Sequence, residues 1–225
     1  MKRILILLVL IITYIGCESS VEPPKEIIAG LTIKGKIFEY DEQYKYIGYG
    51  IAYSYEIVDS AFIDNAGEFN LFVKDPDQSL LWHYYKQEGI RGRIMDYDSV
   101  YFSNPSFKYI PFNFIIKKLD GSGTLIDKAK KTEVFAFPKI GEYFVKYYYT
   151  NDTTTVNGKH IVEFLDEDFK YITNYNIKFE NGWNQLSYKL VQKNDSTEVY
   201  QATNADTTLN NWVILAGSFF SNWQL

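Results

Sequence analysis

Apolar and polar residues alternate along most of the chain after residue 30, and this spacing predicts β-strands. Between residues 31 and 38, polar positions separate Leu31, Ile33 and Ile37, as in a strand with one buried face. No window of eleven or more residues shows the period of 3.6 that is typical of an amphipathic helix. The pattern therefore predicts an all-β fold of one or two antiparallel β-sandwich modules. Further extended runs occupy residues 48–55, 59–63, 68–73, 109–116, 124–126, 133–137, 142–149, 171–179, 185–192, 198–203 and 212–216.

Short polar segments rich in Asp, Asn and Gly separate these predicted strands. Residues 64–67 (Asp-Asn-Ala-Gly) and 120–123 (Asp-Gly-Ser-Gly) are typical of hairpin turns, because Asn and Gly adopt the positive φ that tight turns require. The first turn would complete a meander that ends near residue 73. Asp64 and Asn65 are also residue types that bind calcium, but the further spaced carboxylates of a calcium loop are missing, so a turn is the better interpretation. We expect loops or turns at residues 150–158 and 166–168 as well.

Two segments in the first half of the chain allow more than one interpretation. The aromatic run at residues 78–89 fits a short helix or a strand, and its composition favours a strand. Residues 90–98 repeat residues 33–41 at five of nine positions and keep the sign of every charge. A duplicated module would explain this echo, and so would chance recurrence of basic residues alternating with Ile and Gly. The sequence leaves both explanations open.

The segment from Met1 to Cys17 has the features of an export signal. Lys2 and Arg3 precede an uninterrupted apolar run over residues 4–12, which is too short to span a bilayer. Gly16 then precedes Cys17, the only cysteine of the chain. The pattern predicts a signal peptide at residues 1–16 and an exported protein without disulfides.

The tripeptide Ile15-Gly16-Cys17 resembles the lipobox of bacterial lipoproteins, although Tyr14 replaces the usual leucine. The resemblance implies that Cys17 becomes the acylated first residue, for example with palmitate, and anchors the protein. Two or more acyl chains on one residue are enough for stable attachment. An unmodified cysteine in an ordinary signal peptide, or in an uncleaved anchor helix, is the alternative.

Residues 17–29 would contain the acylated cysteine and an extended tether, because the segment is polar and contains two prolines. Glu18 and Glu22 resemble a sparse form of the surface-export signal of lipoproteins in the Bacteroidota. This resemblance implies a lipid-anchored protein of the outer membrane or cell surface. A periplasm-facing position is the alternative.

Residues 31–75 resemble the carboxypeptidase regulatory-like, or transthyretin-like, β-sandwich domains. The resemblance depends on a Gly-bearing first strand and on the pattern Asp64-x-x-Gly67-x-Phe69-x-Leu71. It implies a sandwich module at residues 30–115, followed by a second β module at residues 116–225.

The second module resembles the C-terminal part of poorly characterised lipoproteins of the Bacteroidota and spirochaetes. No activity is attached to that family, so the resemblance implies location and architecture alone. The matching elements are a Tyr-rich strand, the pattern Asp152-x-x-x-Val156-x-Gly158, the step Gly182-Trp183-Asn184 and the pair Trp212-Val213.

The charge of the chain excludes one class of partner and leaves others. The net charge is −5, and it becomes −7 when Lys2 and Arg3 are removed with the signal peptide. An acidic chain without a basic cluster is unsuited to nucleic acid, because binding depends on Lys and Arg at the phosphates. The expected partners are the membrane, through the lipid on Cys17, and a glycan or an envelope protein.

Residues suited to catalysis or metal binding are scarce. His83 and His160 have no His, Cys or carboxylate at metal-ligand spacing in the sequence, so we expect no metal and no cofactor. The chain also lacks a nucleophile elbow and a Gly-rich loop between a strand and a helix. The acidic residues at 166–168 would suit a glycoside hydrolase only if two carboxylates faced each other at about 5 to 9.5 Å. Solvated loop acids are the simpler interpretation, and we expect a protein that is not an enzyme.

The positive feature of the composition is its aromatic content, 18% of all residues including 20 Tyr. Consecutive rings in a strand, as at residues 147–149, point to opposite faces. An exposed ring can stack on a sugar or anchor a protein partner, whereas burial between two sheets is the alternative. As a binding surface we select Tyr147, Tyr149, Trp183 and Trp212, with Asn174, Asn176 and Gln185 as polar neighbours.

The function predicted from these patterns is that of a membrane-anchored, extracytoplasmic lipoprotein. It would act as a non-catalytic binding or adhesion module for a glycan or a protein. A structural or accessory envelope lipoprotein that partners other membrane proteins is the first alternative, and a glycoside hydrolase is the weaker one.

Overall fold

The computed structural model describes residues 29–51, 57–84, 89–91, 94–130, 138–205 and 211–214. Within these ranges it confirms the all-β fold, with sixteen strands and one short 3-10 helix at Gln78–Leu80. The predicted signal peptide with Cys17, most of the tether and the predicted strand at residues 133–137 lie outside the described residues. In the part of the chain that is described, no helix is long and apolar enough to cross a membrane.

The strands are β1 (Gly30–Ile37), β2 (Tyr44–Ile51), β3 (Asp59–Phe62), β4 (Glu68–Lys74), β5 (Trp82–His83), β6 (Gly89–Arg91), β7 (Ile94–Asp98), β8 (Tyr101–Phe102), β9 (Lys108–Lys118), β10 (Gly123–Lys130), β11 (Tyr143–Thr150), β12 (Thr154–Phe164), β13 (Phe169–Phe179), β14 (Gly182–Asn194), β15 (Thr197–Asn204) and β16 (Asn211–Ile214).

These strands belong to one hydrogen-bonded sheet. Its main order is β4-β1-β16-β10-β9-β11-β14-β15-β13-β12-β7-β6, and β2, β3, β5 and β8 pair beside this path. The pairs β1–β16 and β13–β15 are parallel, and the remaining pairs are antiparallel. The pairing of β1 with β16 joins the first and the last described strands of the chain.

The alternation predicted for β1 is confirmed, since Ile33 and Ile37 are buried and Lys34 and Lys36 are exposed. The following strands do not form the expected meander. β4 pairs with β1 along seven residue pairs, whereas β3 pairs with β2, and the segment after β3 forms an isolated bridge to β4 between Ile63 and Phe69. Side-by-side pairing of β1 and β4 places their apolar faces on one core, and this long-range burial outweighs the local hairpin.

The turn at residues 64–67 has the structural role that the sequence predicted. The Asp64 carboxylate accepts hydrogen bonds from the backbone N–H groups of Ala66 at 2.9 Å and Glu68 at 2.8 Å. Gly67 has a φ of 78°, a conformation that glycine adopts at little cost. This Asp64 oxygen therefore serves the turn.

Two hydrophobic cores lie on opposite faces of the central strands β9, β10, β11 and β16. In β11, Val145 and Tyr147 belong to the first core, and Phe144 and Tyr148 belong to the second. Residues of β1, β2 and β4 complete the first core, and residues of β12 to β15 complete the second. Because both faces are covered, β9 and β11 are buried at nearly every position.

The boundary predicted between the two β modules, at residues 115 and 116, falls inside β9. This strand pairs with β2, which precedes the division, and with β10 and β11, which follow it. The two copies of the repeated sequence, residues 33–41 and 90–98, also differ in structure. Residues 38–43 connect β1 to β2, while residues 94–98 form a strand. Their unlike structures favour chance recurrence over a duplicated module.

Two further segments differ from their predicted structure. The polar segment at 150–158 was expected to be a turn, but β12 begins at Thr154, where Thr154 and Val156 are buried and Thr155 and Asn157 face outward. The run at 78–89 contains the 3-10 helix and the two-residue strand β5, and residues 85–88 lie outside the described ranges.

Candidate functional site

Three of the four rings selected from the sequence, Tyr147, Tyr149 and Trp212, lie in the first core, and Trp183 packs against it. Tyr147 is 2% exposed and Trp212 is fully buried, and their rings stack with centroids 6.0 Å apart. Phe114 meets both rings edge-on, at 5.2 and 5.0 Å. The expectation that these two rings form a binding surface is therefore corrected: β11 and β16 are covered on both faces, and the rings serve the core.

Trp212 also lies directly over the backbone of β1. A Cβ atom added at Gly35 would overlap the Trp212 indole ring, so glycine is required there for this close approach. The indole N–H is buried and has no hydrogen-bond partner among the described residues. Packing of the ring, rather than polar bonding, holds Trp212 in place.

The other two selected rings meet at Asp75, directly after β4. The Trp183 indole N–H donates to Asp75 Oδ1 at 2.7 Å, and the Tyr149 hydroxyl donates to Oδ2 at 3.4 Å. Burial, followed by the charge of Asp75, raises the pKa of Tyr149. Both carboxylate oxygens are thus bonded within the protein, and the cluster ties the end of β4 to β11 and β14.

Of the predicted polar neighbours, Gln185 lies opposite Tyr147 in the register of β11 with β14, whereas Asn174 and Asn176 lie away from the four rings. Gln185 Oε1 accepts a hydrogen bond from Lys128 Nζ at 3.5 Å. Asn174 and Asn176 lie on β13, which β15 separates from β14 in the sheet. The structure therefore divides the selected residues among the core, the Asp75 contact and a more distant strand.

A groove with a volume of about 760 Å³ lies on the outer side of β1, β3 and β4. We name it the outer groove. The register of β1 with β4 sets Lys34 opposite Asn70 and Lys36 opposite Glu68, so polar side chains stand in two cross-strand pairs. Its lining residues are Lys34, Gly35, Lys36, Ala61, Phe62, Asp64, Glu68, Phe69 and Asn70.

Two aromatic residues line the outer groove: Phe69 is buried, and Phe62 is 74% exposed. The Phe62 ring lies against Tyr46, with centroids 4.8 Å apart. The neighbours Ala61 and Ile63 point inward, so the alternation of the strand directs Phe62 to the solvent. The selection of rings from the sequence missed Phe62 because it weighed consecutive aromatics. The inward position of Ile63, together with the period of two, was the signal that could have found it.

The charged side chains of the outer groove contribute little to the stability of the fold. Lys36 Nζ lies 3.9 Å from Glu68 Oε1, and both side chains are more than half exposed, so this pair contributes about 0 to 1 kcal/mol. Lys34 makes no ion pair with any described residue. The groove therefore carries ammonium, amide and carboxylate groups at a surface that is open to solvent.

Pairing of β7 with β12 brings together acidic and histidine side chains that are distant in the sequence. His160 Nε2 lies 3.5 Å from Asp96 Oδ1, and Asp98 accepts hydrogen bonds from the Tyr84 hydroxyl and the Val100 N–H. Burial, followed by the bond to Asp98, raises the pKa of Tyr84. Among the residues described, no three His, Cys, Asp or Glu side chains are grouped to hold a metal ion. We interpret this cluster as a polar contact between strands.

A second buried polar cluster lies where the hydrogen-bonded pairing among β9, β10 and β11 changes. β10 pairs with β9 up to Ile126 and with β11 from Lys128 onward. β9 in turn pairs with β11 only up to Phe112. The residues left between these ladders are Asn113, Asp127 and Lys146, which we name the junction triad.

The junction triad holds an ion pair away from solvent. Lys146 Nζ lies 2.7 Å from Asp127 Oδ2, and the two side chains are 4% and 3% exposed. Burial raises the pKa of Asp127, and the smaller effect of Lys146 lowers it. Asn113 is also buried, and within the described part of the chain its Oδ1 has no hydrogen-bond partner. The triad lies inside the sheet, so a structural role fits it better than contact with a ligand.

The acidic residues at 166–168, on which the glycoside hydrolase alternative depended, form the exposed turn between β12 and β13. Asp168 has a φ of 48°, which is a turn conformation. The prediction of a loop or turn at this position is confirmed.

Comparison of the chain with protein-family models, with curated proteins and with solved structures found no match.

Proposed function

We propose that this protein is a membrane-anchored, extracytoplasmic lipoprotein that acts as a non-catalytic binding or adhesion module, with the outer groove as its contact site. The observation that carries the proposal is the exposed ring of Phe62 beside polar side chains from two neighbouring strands. Full burial of a side chain of this kind is worth about 1.5 to 3 kcal/mol. Phe62 gains little of that energy in the fold, so it remains available to a ligand.

The anchor is proposed on the resemblance of Ile15-Gly16-Cys17 to the lipobox. β1 begins at Gly30, directly after the predicted tether, and it supplies two lysines to the outer groove. A fully extended tether of residues 18–29 reaches at most about 40 Å. The groove would therefore be presented close to the membrane surface, where glycans and envelope proteins are found.

The anchor is tested by Cys17→Ser. We expect this variant to lose palmitate labelling and to leave the detergent phase, because the acylated residue is gone. Tyr14→Leu, which restores the usual lipobox residue, is the matched control and should label at least as well as the natural chain. Equal labelling and partitioning of Cys17→Ser would contradict lipid attachment.

The binding site is tested on glycan and envelope-protein arrays with the full-length chain in detergent. We expect Phe62→Ala to lose the bound signal and Tyr101→Ala, a ring 67% exposed on β8, to keep it. Binding that Phe62→Ala leaves unchanged would contradict the groove. Turnover of a glycoside or peptide that Asp166→Asn abolishes would contradict the non-catalytic role.

A further inference from the structure

The outer groove combines one exposed aromatic ring with equal numbers of positive and negative side chains. Lys34 and Lys36 are balanced by Asp64 and Glu68, while the whole chain carries a net charge of −5. A strongly anionic ligand would therefore find no excess of positive charge in the groove and would be repelled by the chain as a whole.

The arrangement of these groups matches the two kinds of surface that a sugar presents. The apolar C–H face of a pyranose ring packs against an aromatic face, and the Phe62 ring is held by contact with Tyr46 on the neighbouring strand. Sugar hydroxyls both donate and accept hydrogen bonds. Lys34 supplies donors, Glu68 supplies acceptors, and the Asn70 amide supplies both.

The spacing of the polar pairs also suits a short ligand with repeated units. Lys34 lies opposite Asn70, and Lys36 lies opposite Glu68, two residues farther along the strands. Alternate residues on one face of a strand are separated by about 6.5 to 7 Å. Polar groups thus recur along the groove at about the scale of one sugar residue.

From these observations we infer that the outer groove binds a neutral glycan, with one sugar ring on Phe62 and hydroxyl groups bonded by Lys34, Asn70 and Glu68. The inference rests on the proposed function and names its ligand class. A folded protein partner fits less well, because standard interfaces use about 20 to 30 residues on each side, and nine residues line this groove.

Calorimetric titration of the full-length chain in detergent tests the inference. The neutral probes are cello-, manno-, xylo- and maltohexaose, and the acidic probes are oligogalacturonate and a heparin oligosaccharide. We expect at least one neutral probe to bind, and Phe62→Ala to weaken it by about tenfold or more. Tyr101→Ala should leave the affinity unchanged. Raising the salt from about 0.05 to about 0.5 M should change the affinity less than about twofold, because no ion pair is formed with the ligand.

Three results would overturn the inference, and they separate it from the proposed function. Binding of an acidic probe that Lys34→Gln and high salt both abolish would overturn the neutral ligand class and keep the groove as the site. If an envelope protein binds, no glycan binds, and Phe62→Ala abolishes the binding, the neutral glycan is again overturned and the groove is kept as the site. If no glycan or envelope protein binds in a way that depends on Phe62, both proposals fail. Thermal unfolding of Phe62→Ala must match the natural chain for the loss to be assigned to the groove.

Discussion

The junction triad and the outer groove are opposite exceptions to the usual distribution of side chains between the interior and the surface. Asp127 and Lys146 are charges inside the sheet, and Phe62 is an aromatic ring in solvent. The two charges depend on each other, because removal of either leaves its partner buried and uncompensated. The exposed Phe62 ring, by contrast, contributes little to the stability of the fold. The comparison shows that burial decides whether an unusual residue depends on its neighbours in the sheet or remains exposed to solvent.

The position of the charges within the sheet indicates what they contribute. At the junction the ladders of β9, β10 and β11 are interrupted, so backbone hydrogen bonds alone specify the register less strongly. An ion pair between β10 and β11 favours one register over its neighbours, since a slip of one residue would turn one of the two charges to the other face. Specificity, rather than net stability, is the contribution expected of such a pair.

The largest effect is expected from Lys146→Met. The variant leaves the Asp127 carboxyl buried without its cation, and breaking a buried pair in this way costs about 3 to 5 kcal/mol. Chemical denaturation should show this loss in the free energy of unfolding.

Its control is the double variant Lys146→Met with Asp127→Leu, which removes both charges. This variant should recover most of the loss, because a buried pair can often be replaced by apolar residues at little cost. A single variant within about 1 kcal/mol of the natural chain would show that the junction triad is not essential to the sheet.

Gly35 connects the outer groove with the first core, because it lines the groove and lies under Trp212. Gly35→Ala should destabilise the fold by about 1 to 3 kcal/mol, since the added methyl group overlaps the indole ring. Lys34→Ala, one residue away on the exposed face, should change the free energy of unfolding by no more than about 0.5 kcal/mol. Equal values for the two variants would show that the contact of Trp212 with β1 is looser than described.

The junction triad should also give stability a measurable pH dependence. Burial raises the pKa of Asp127, so between the ordinary carboxyl pKa of about 3.9 and the raised value the folded chain keeps a proton that the unfolded chain has lost. The free energy of unfolding should therefore fall as the pH rises through this window, by at most about 1.4 kcal/mol per pH unit.

Asp127→Asn is the reference for this experiment, because it removes the titrating group. Unfolding of both chains between about pH 4 and about pH 8 gives the contribution of Asp127 as the difference between them. If the natural chain gained stability relative to Asp127→Asn as the pH rose, attraction by Lys146 would outweigh burial and the sign would be wrong.

The smallest effect on stability is expected in the outer groove. Phe62→Ala should change the free energy of unfolding by no more than about 0.5 kcal/mol, as surface substitutions usually do. Phe114→Ala, at a ring buried in the first core, should cost about 3 to 5 kcal/mol. Similar losses in the two variants would mean that Phe62 serves the fold and not a ligand.

The sequence by itself determined the local elements of this protein. Alternation in β1, the hairpin of β9 and β10 and the turn at residues 64–67 were predictable, because a period of two and the positive φ of Gly67 depend on neighbouring residues alone. The strand β12 was missed because its outward polar residues, Thr155 and Asn157, have the composition of a turn.

Only the tertiary structure decided which faces are covered. Alternation shows that Tyr147 and Tyr148 point to opposite sides, but it does not show that a core lies on both sides of β11. The pairing of β1 with β16 buries Trp212, and the meeting of β9, β10 and β11 creates the junction triad from residues far apart in the chain. Phe62 remains in solvent because no described strand covers that side of β3. Burial is a property of the whole sheet, and so the division between core rings and the candidate binding ring could not be predicted from local sequence.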